Sequence, residues 1–359
     1  MNHHEPRLFV PGPTEVFPEI LQAMATPMIS HRGPEIIELT NEIRTNLQKL
    51  FLTTNECYFA ASSATGLMEG AVRNLTSSHM LATVCGAFGK RQYEIARKCS
   101  KKVTALEVHD GHPILPEDLD RTLSSDDFDL VTVVHSETST GILNPMKEIG
   151  EVVEKYPDTL LVMDCVSSLA GAPVRVDEWG VDVAFAGIQK CMALPPGLCL
   201  FSVSEKAMER AKSMDNRGHY FDFANYEKMA ARGQSPATTS IAHLFALRLQ
   251  LERILDETLE VRWARHETMA HNVRERLIDR FNIFPHLDYQ TPGESVFANE
   301  GKINVGELVS RVNARGKVFA NGYGPLKEKT FRVGHMGDLQ PDHVDVFMDI
   351  LEEELSQVL

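Results

Sequence analysis

The residue whose surroundings most call for a chemical explanation is Lys190, in the stretch FAGIQKCMALPPGL at residues 185–198. Apolar residues precede and follow it, and the turn signal PPG comes next. A lysine is rarely buried without a partner, although its stem can lie on apolar surface while its ammonium reaches water. A lysine that is withdrawn from water and partly neutral can also act as a nucleophile. This stretch alone leaves both interpretations of Lys190 open.

Other polar or aromatic residues follow the ends of predicted strands. The segment Ser63-Ala64-Thr65 leads into a helix, whose free N–H groups can bind a phosphate or be capped by a hydroxyl. Asp164 ends the apolar run TLLVMD, where a carboxylate needs a partner or caps the next turn. Phe88 stands between two glycines in CGAFGKR, either as a stacking platform or as a core residue. Each signal is weak by itself.

Together these segments contain the groups that hold pyridoxal 5'-phosphate. That cofactor needs a lysine for a Schiff base, an acid against its pyridinium nitrogen and an anion site for its phosphate. Lys190, Asp164 and the Ser63–Thr65 segment meet these needs in turn. The sequence therefore predicts a pyridoxal-phosphate enzyme with Lys190 and Asp164 as its catalytic residues.

The elements that must position these residues belong to an α/β fold. Continuous apolar strands alternate with amphipathic helices between residues 35 and 204, which indicates a mostly parallel seven-stranded sheet flanked by helices. The connection PPG is too short for a crossover, so the last two strands should be antiparallel. From Thr239 onward, long helices lead into a smaller α+β C-terminal domain. The seven strand candidates are ECYFAAS, MLATVCG, KKVTALEVH, LVTVVHSE, TLLVMDCV, VDVAFAG and LCLFSVS.

Composition and charge exclude several other classes. The 359 residues are 43% hydrophobic and 24% charged, which is typical of a folded globular protein. The net charge of -14 argues against nucleic-acid binding, and no apolar run has the length of a membrane span. We expect no metal site, because the H-x-E spacing at His135 lacks a following PCxxC. Six scattered cysteines and the absence of a signal peptide favour a cytoplasmic protein with free thiols.

The ordered set of motifs resembles the class V aminotransferases of pyridoxal-phosphate fold type I, close to the alanine–glyoxylate and serine–pyruvate aminotransferases. The resemblance covers nearly the whole chain. It implies a large cofactor-binding domain at 16–245 and a small substrate-clamping domain formed by 1–15 with 246–359. The motifs that carry it are PGPT, SHRGPE, SSATGLME, GAFGKR, ETSTGILNP, MDCVSS, AGIQKCMALPPGL and FRVGHMG.

The resemblance also implies roles for single residues. Lys190 matches the Schiff-base lysine, Asp164 the pyridinium partner and Phe88 the stacking aromatic. Ala64 stands where relatives often have glycine, which is tolerable if its φ is negative. Arg332 resembles the arginine that clamps the substrate α-carboxylate. The remaining expected cofactor contacts are Ser63 and Thr65 at the phosphate, Thr138 near the ring oxygen, Val166 under the ring, Gln189 near the phosphate, and Thr238 with Ser235 from the other subunit of a homodimer.

Two aminotransferase specificities stay open. The first is transfer of the amino group of a small amino acid, serine or alanine, to a 2-oxo acid such as glyoxylate or pyruvate. The second is phosphoserine:2-oxoglutarate transamination, in which His31 and Arg32 of SHRG would bind the substrate phosphate. The GYG and TFRVGHMG segments favour the first. A cysteine desulfurase would need a cysteine in the C-terminal third, where the sequence has none, and a serine hydrolase would need a G-x-S-x-G elbow.

Overall fold

The computed structural model describes residues 5–359, so the first four residues of the predicted small domain lie outside the described part. Its larger sheet has seven strands in the order β2-β10-β9-β8-β5-β3-β4. All neighbouring pairs are parallel except the two made by β10, which runs against both β9 and β2. The strands are β2 Glu56–Ala60, β3 His79–Val84, β4 Lys102–Glu107, β5 Leu130–Val134, β8 Leu160–Asp164, β9 Val183–Gly187 and β10 Cys199–Val203.

The sheet confirms the predicted strands and the antiparallel pair at PPG. The run LVTVVHSE is shorter than expected, since β5 ends at Val134. At this point the Asn144 side-chain amide donates to the Val134 carbonyl (2.7 Å). The residues that follow form a separate hairpin of β6 Ser136–Glu137 with β7 Ile142–Leu143.

Helices cover both faces of the large sheet. Its central strands are therefore buried along their whole length. Two apolar clusters form the layers between sheet and helices. The helices between residues 18 and 230 are α1 Pro18–Met24, α2 Pro34–Phe51, α3 Ala64–Leu75, α4 Ala87–Lys98, α5 Pro116–Leu123, α6 Met146–Val153, α7 Glu205–Ser213 and α8 Phe223–Ala230. The longer helices α9 Ile241–Glu257 and α10 Leu259–Leu277 follow.

A second, mostly antiparallel sheet has the order β1-β13-β14-β12-β11. It packs with α10 and two later helices around a third apolar cluster. The strand β1 belongs to this sheet although it lies near the start of the chain, because it pairs with β13. The elements are β1 Leu8–Phe9, β11 Asn282–Ile283, β12 Glu294–Ala298, α11 Val305–Ala314, β13 Val318–Asn321, β14 Thr330–Gly334 and α12 Pro341–Leu355.

The chain passes from one unit to the other through α9 and α10. Side chains up to Trp263 pack in a core of the large sheet, and side chains from Met269 onward pack with the second sheet. The limits 16–245 for the large domain, and 1–15 with 246–359 for the small one, stay a proposal. The pairing of β1 with β13 supports the place of the first segment in the small domain. Within residues 5–359 no helix is long and apolar enough to cross a membrane.

Candidate active site

The cavity of interest lies at the carboxyl ends of the parallel strands, where open α/β sheets bind their ligands. Lys190 follows β9, Asp164 is the last residue of β8, and Phe88 follows β3. Eight of the predicted cofactor residues line this one cavity. Its lining consists of Ser63, Ala64, Thr65, Met68, Phe88, Arg91, Val134, Ser136, Asp164, Val166, Ser167, Gln189 and Lys190.

Lys190 is buried, with 8% of its surface exposed. Its ammonium donates a hydrogen bond to the Pro11 carbonyl and lies 5.9 Å from the centre of the Phe88 ring. Burial disfavours the ammonium and lowers the pKa of Lys190, against the raising influence of Glu294. The side chain is therefore held inside the cavity, and its snorkelling to water is excluded.

The motif PGPT fixes the backbone around this lysine. Thr14 donates from its N–H to the Gln189 carbonyl (3.0 Å) and from its hydroxyl to the Lys190 carbonyl (2.9 Å). Gly12 packs on the lysine stem, since a Cβ there would lie 2.4 Å from Lys190 Cδ. Its φ of +103° also favours glycine. The start of the chain thus forms one wall of the lysine's surroundings.

Asp164 is 3% exposed. Burial raises the pKa of its carboxyl to about 7, although the Val166 N–H donates to it at 3.0 Å and lowers the pKa in part. The hydrogen bond makes Asp164 the cap of the following turn, as one of the two interpretations predicted. A buried carboxyl of this kind also favours a positively charged group placed against it.

The first turn of α3 opens towards the same cavity. Ser63 is its N-cap residue, with extended φ and ψ, and the Ser63 hydroxyl makes no capping hydrogen bond. Ala64 is the first helical residue and is absent from the residues with positive φ, so a side chain is tolerated there. Uncapped N–H groups at a helix start are suited to an anion. This local geometry fits the predicted phosphate site.

Phe88 lies in the first turn of α4 and not on a free loop. The buried Glu137 carboxylate holds this turn, accepting hydrogen bonds from the N–H groups of Phe88 (2.9 Å) and Gly89 (3.1 Å). The other Glu137 oxygen accepts from the Ser139 hydroxyl (2.6 Å). Because Glu137 fixes the backbone that carries the ring, it is a positioning residue for Phe88.

Arg332 approaches from β14 of the second sheet and is 9% exposed. Its Nη1 donates to the Thr138 carbonyl (2.9 Å), and neither Arg332 nor Thr138 is among the residues that line the cavity. The guanidinium lies 5.5 Å from the Tyr323 ring centre, and that ring is 5.7 Å from the Phe88 ring. Arg332 is thus linked to the cavity by one aromatic side chain.

Four predicted residues lie away from this cavity. His31 and Arg32 are exposed in the turn before α2, and Thr238 is exposed in the loop before α9. Ser235 lies in the same loop, whose Gln234 accepts a hydrogen bond from Arg32 Nη1 at 2.6 Å. The two segments therefore form a joint surface on the outside of this chain.

Several residues around the cavity had no role predicted from the sequence. Arg91 lies 4.8 Å from the centre of the Phe88 ring and donates to the Tyr323 hydroxyl (3.2 Å). Glu137 is the first residue of the ETSTGILNP motif. Its position at the end of a predicted strand was the one sequence signal that could have marked it as a site residue. Glu294 is buried in β12, and no motif marked it.

Comparison with known proteins agrees with this geometry. Residues 8–292 match the family model described as aminotransferase class V. The chain belongs to the class V aminotransferases. It is a transaminase of a family whose members depend on pyridoxal phosphate.

The relatives include an uncharacterized aminotransferase of Methanocaldococcus jannaschii, 39% identical, with 92% of this chain and 87% of that protein covered. The L-aspartate–glyoxylate aminotransferase of Paracoccus denitrificans is 31% identical over 92% of this chain and 86% of its own. Among solved structures, the alanine–glyoxylate aminotransferase of a Nostoc species superposes with a TM-score of 0.93. It is 28% identical, and the match covers 99% of this chain and 96% of the Nostoc chain.

Proposed function

We propose that the cavity beside Lys190 binds pyridoxal 5'-phosphate and that the enzyme moves the amino group of a small amino acid, serine or alanine, to glyoxylate or pyruvate. The observation that carries the proposal is the buried ammonium of Lys190, 5.9 Å from the Phe88 ring centre, in a cavity that Asp164 also lines. The donor set fits the cofactor: a lysine, a buried acid, an aromatic face and an uncapped helix start.

In this proposal each residue has a separate task. The N–H groups and hydroxyls at Ser63–Thr65, with Gln189, would hold the phosphate, and Phe88 and Val166 would pack on the ring. Asp164 would accept a hydrogen bond from the protonated ring nitrogen, and that cation would favour the ionised carboxylate that burial disfavours. Bound pyridoxal phosphate supplies an electron sink for the negative charge that develops at the donor's α-carbon.

Lys190 has two tasks, covalent attachment of the resting cofactor and transfer of the α-proton. Both need a neutral amine, and burial lowers the pKa of Lys190 in that direction. Arg332 binds the α-carboxylate of the donor and later of the acceptor through its planar guanidinium. Its hydrogen bond to the Thr138 carbonyl supports this role, since it fixes one edge of the guanidinium.

Glyoxylate is named as the acceptor of both the Paracoccus and the Nostoc relatives, whereas their donors differ. We therefore propose glyoxylate as the preferred acceptor. The alternative, phosphoserine:2-oxoglutarate transamination, requires cations at the substrate phosphate. His31 and Arg32 do not line the cavity of their own chain, so this alternative would need them to reach the partner subunit's site together with the loop of Gln234.

We also propose that the enzyme is a cytoplasmic homodimer in which Thr238 and Ser235 reach the phosphate of the partner subunit. Their position outside the cavity of their own chain supports a contact across an interface. Light scattering and a mixing experiment test it. Combining inactive Lys190→Ala chains with inactive Thr238→Tyr chains should restore part of the activity, because one of the two mixed sites then has both native residues. A fully active monomer would contradict the dimer.

The experiment that tests the proposed reaction compares donor and acceptor pairs in one preparation. Serine or alanine with glyoxylate should give glycine and the corresponding 2-oxo acid. Phosphoserine with 2-oxoglutarate should be slower by at least about a hundredfold, because Arg332 is taken by the α-carboxylate while Arg91 and Arg32 are engaged with Tyr323 and Gln234. A strong preference for phosphoserine would reverse the assignment.

A further inference from the structure

Glu294, the first residue of β12, has a buried carboxyl group that lacks a hydrogen-bond partner within residues 5–359. Its side chain is 1% exposed, and both carboxyl oxygens are unpartnered. Its backbone carbonyl accepts a hydrogen bond from Arg274 Nη2 at 3.2 Å. Burying a carboxyl without a partner costs several kcal/mol in general, on the order of 2–7 for a neutral polar group and more for an ion. Such a group calls for a ligand.

The strand register shows which way this carboxyl points. Glu294 lies opposite Gly334, and Val296 lies opposite Arg332. Directly opposite residues share a face of the sheet, as do residues two apart, so Glu294 and Arg332 are diagonal neighbours about 7–8 Å apart. Long side chains span that distance. Glu294 is therefore on the face that carries the proposed carboxylate-binding arginine.

The same face packs against the surroundings of Lys190. A Cβ on Gly334 would lie 2.2 Å from the Val10 carbonyl and 2.8 Å from the Pro11 nitrogen. The Pro11 carbonyl in turn accepts the hydrogen bond from Lys190. Glu294 is thus a neighbour of Arg332 and, through Gly334, of the Val10–Pro11 segment that holds the lysine.

The cations near Glu294 have other partners. Arg332 donates to the Thr138 and Asn321 carbonyls, Lys190 to Pro11, and Arg274 to the Thr291 carbonyl. Burial raises the pKa of Glu294 to about 8, although Arg332 and Lys190 act in the opposite direction. When a substrate carboxylate binds Arg332, none of these three cations is free to pair with Glu294. A hydrogen-bond donor for Glu294 can then come from the substrate itself.

We propose that Glu294 determines donor specificity by binding a hydrogen-bond donor on the β-carbon of the amino substrate, an ammonium or a hydroxyl. This inference rests on the proposed transaminase function and narrows its substrate class. Glu294 favours short donors that end in –NH3+ or –OH, tolerates an apolar methyl group, and repels a carboxylate or phosphate at the same position. Within the proposed pair of donors, it selects serine over alanine.

The test uses four donors that differ only in the group on the β-carbon: 2,3-diaminopropionate, serine, alanine and aspartate, each with glyoxylate. We expect kcat/KM of the wild-type enzyme to fall in that order. Glu294→Gln should lower the ratio of diaminopropionate to alanine by about tenfold or more, because a charge-assisted hydrogen bond is lost. The same variant should raise aspartate relative to alanine.

Glu294→Leu is the second variant, because removing a buried carboxyl without a partner should not prevent folding. It should also remove the preference for serine over alanine. Glu267→Gln is the matched control, because Glu267, like Glu294, acts to raise the pKa of Arg274. It should leave the donor ratios unchanged.

Two results would overturn the inference: donor ratios that stay the same in Glu294→Gln, or an equal fall for all four donors, which means a structural role. A wild-type enzyme that transfers no amino group from any donor would instead contradict the proposed function itself.

Discussion

Asp164 and Asp182 are buried at opposite ends of the neighbouring parallel strands β8 and β9. Asp164 is the last residue of β8, at the carboxyl ends of the parallel strands, where the cavity lies. Asp182 directly precedes β9, at the amino ends of these strands. There it accepts hydrogen bonds from the Leu161 N–H (2.9 Å) and the Ser204 hydroxyl (2.8 Å). Burial raises the pKa of both carboxyls. Under the proposed function only Asp164 has a chemical task, so this pair offers a matched comparison.

Asp164→Asn should lower kcat by two orders of magnitude or more, on the order of 3 kcal/mol or more, because the negative charge is lost while the shape is kept. Much of the cofactor binding should remain. Asp182→Asn should change the free energy of unfolding and leave kcat within about threefold, because its partners are structural. Steady-state rates of both variants at saturating cofactor measure the difference. A near-normal rate in Asp164→Asn would reduce Asp164 to a helix cap.

The raised pKa of Asp164 also predicts a pH dependence for the ligand-free enzyme. The folded chain keeps this proton up to about pH 7, whereas the ordinary pKa is 3.8. The stability that protonated Asp164 contributes is therefore full below pH 3.8 and is lost as the pH rises through 7. Relative to Asp164→Asn, the wild type should lose up to about 1.4 kcal/mol per pH unit over that window. Urea unfolding of both proteins from about pH 4 to 8, which spans the interval between the two pKa values, checks it; a pH-independent difference contradicts it.

The hydrogen bonds from Phe88 and Gly89 to Glu137 predict a coupling between that carboxylate and the ring. Glu137→Gln should weaken cofactor binding by about tenfold, since charge-assisted hydrogen bonds are stronger than neutral ones. In a Phe88→Ala background the same change should cost much less, because the ring it positions is absent. Cofactor titrations of the four proteins measure this. Glu148→Gln, an exposed change in the first turn of α6, is the control. Additive losses would exclude a positioning role.

Arg332 and Arg32 separate the two aminotransferase specificities. Arg332→Ala should lower kcat/KM for serine and alanine by at least about a hundredfold, because the carboxylate loses a bidentate partner. Arg32→Ala should change it by less than about threefold, because Arg32 is exposed and pairs with Gln234. The absorbance of the bound cofactor should be normal in both. Equal losses in the two variants, with phosphoserine preferred, would favour the phosphoserine assignment.

The large sheet could be predicted from the sequence because its strands are continuous apolar runs of ordinary length between helical segments. The rule that ligands bind at the carboxyl ends of such strands then brought Lys190, Asp164 and Ser63 together. The same rule identified Phe88, although the sequence predicted it on a loop and not inside α4.

The contribution of the second sheet to the site could not be predicted in the same way. The position of Glu294 depends on the register of β12 against β14, and that of Tyr323 on packing against Phe88. Both are contacts between residues far apart in the chain, and single-sequence periodicity gives no pairing register. The role of Glu137 was missed because the N–H groups that donate to its carboxylate lie in another segment, the start of α4.

A single-turnover experiment tests most directly whether Lys190 and its cavity transfer an amino group. The purified enzyme, loaded with pyridoxal phosphate and freed of excess cofactor, is mixed with serine or alanine without an acceptor. It should release one 2-oxo acid per chain and stop, and glyoxylate should then yield one glycine per chain. Lys190→Ala should do neither, while Lys317→Met, a change in a buried lysine that donates to the Pro6 carbonyl, should behave as wild type. Continued 2-oxo acid release with free ammonia, or full turnover by Lys190→Ala, would contradict the assignment.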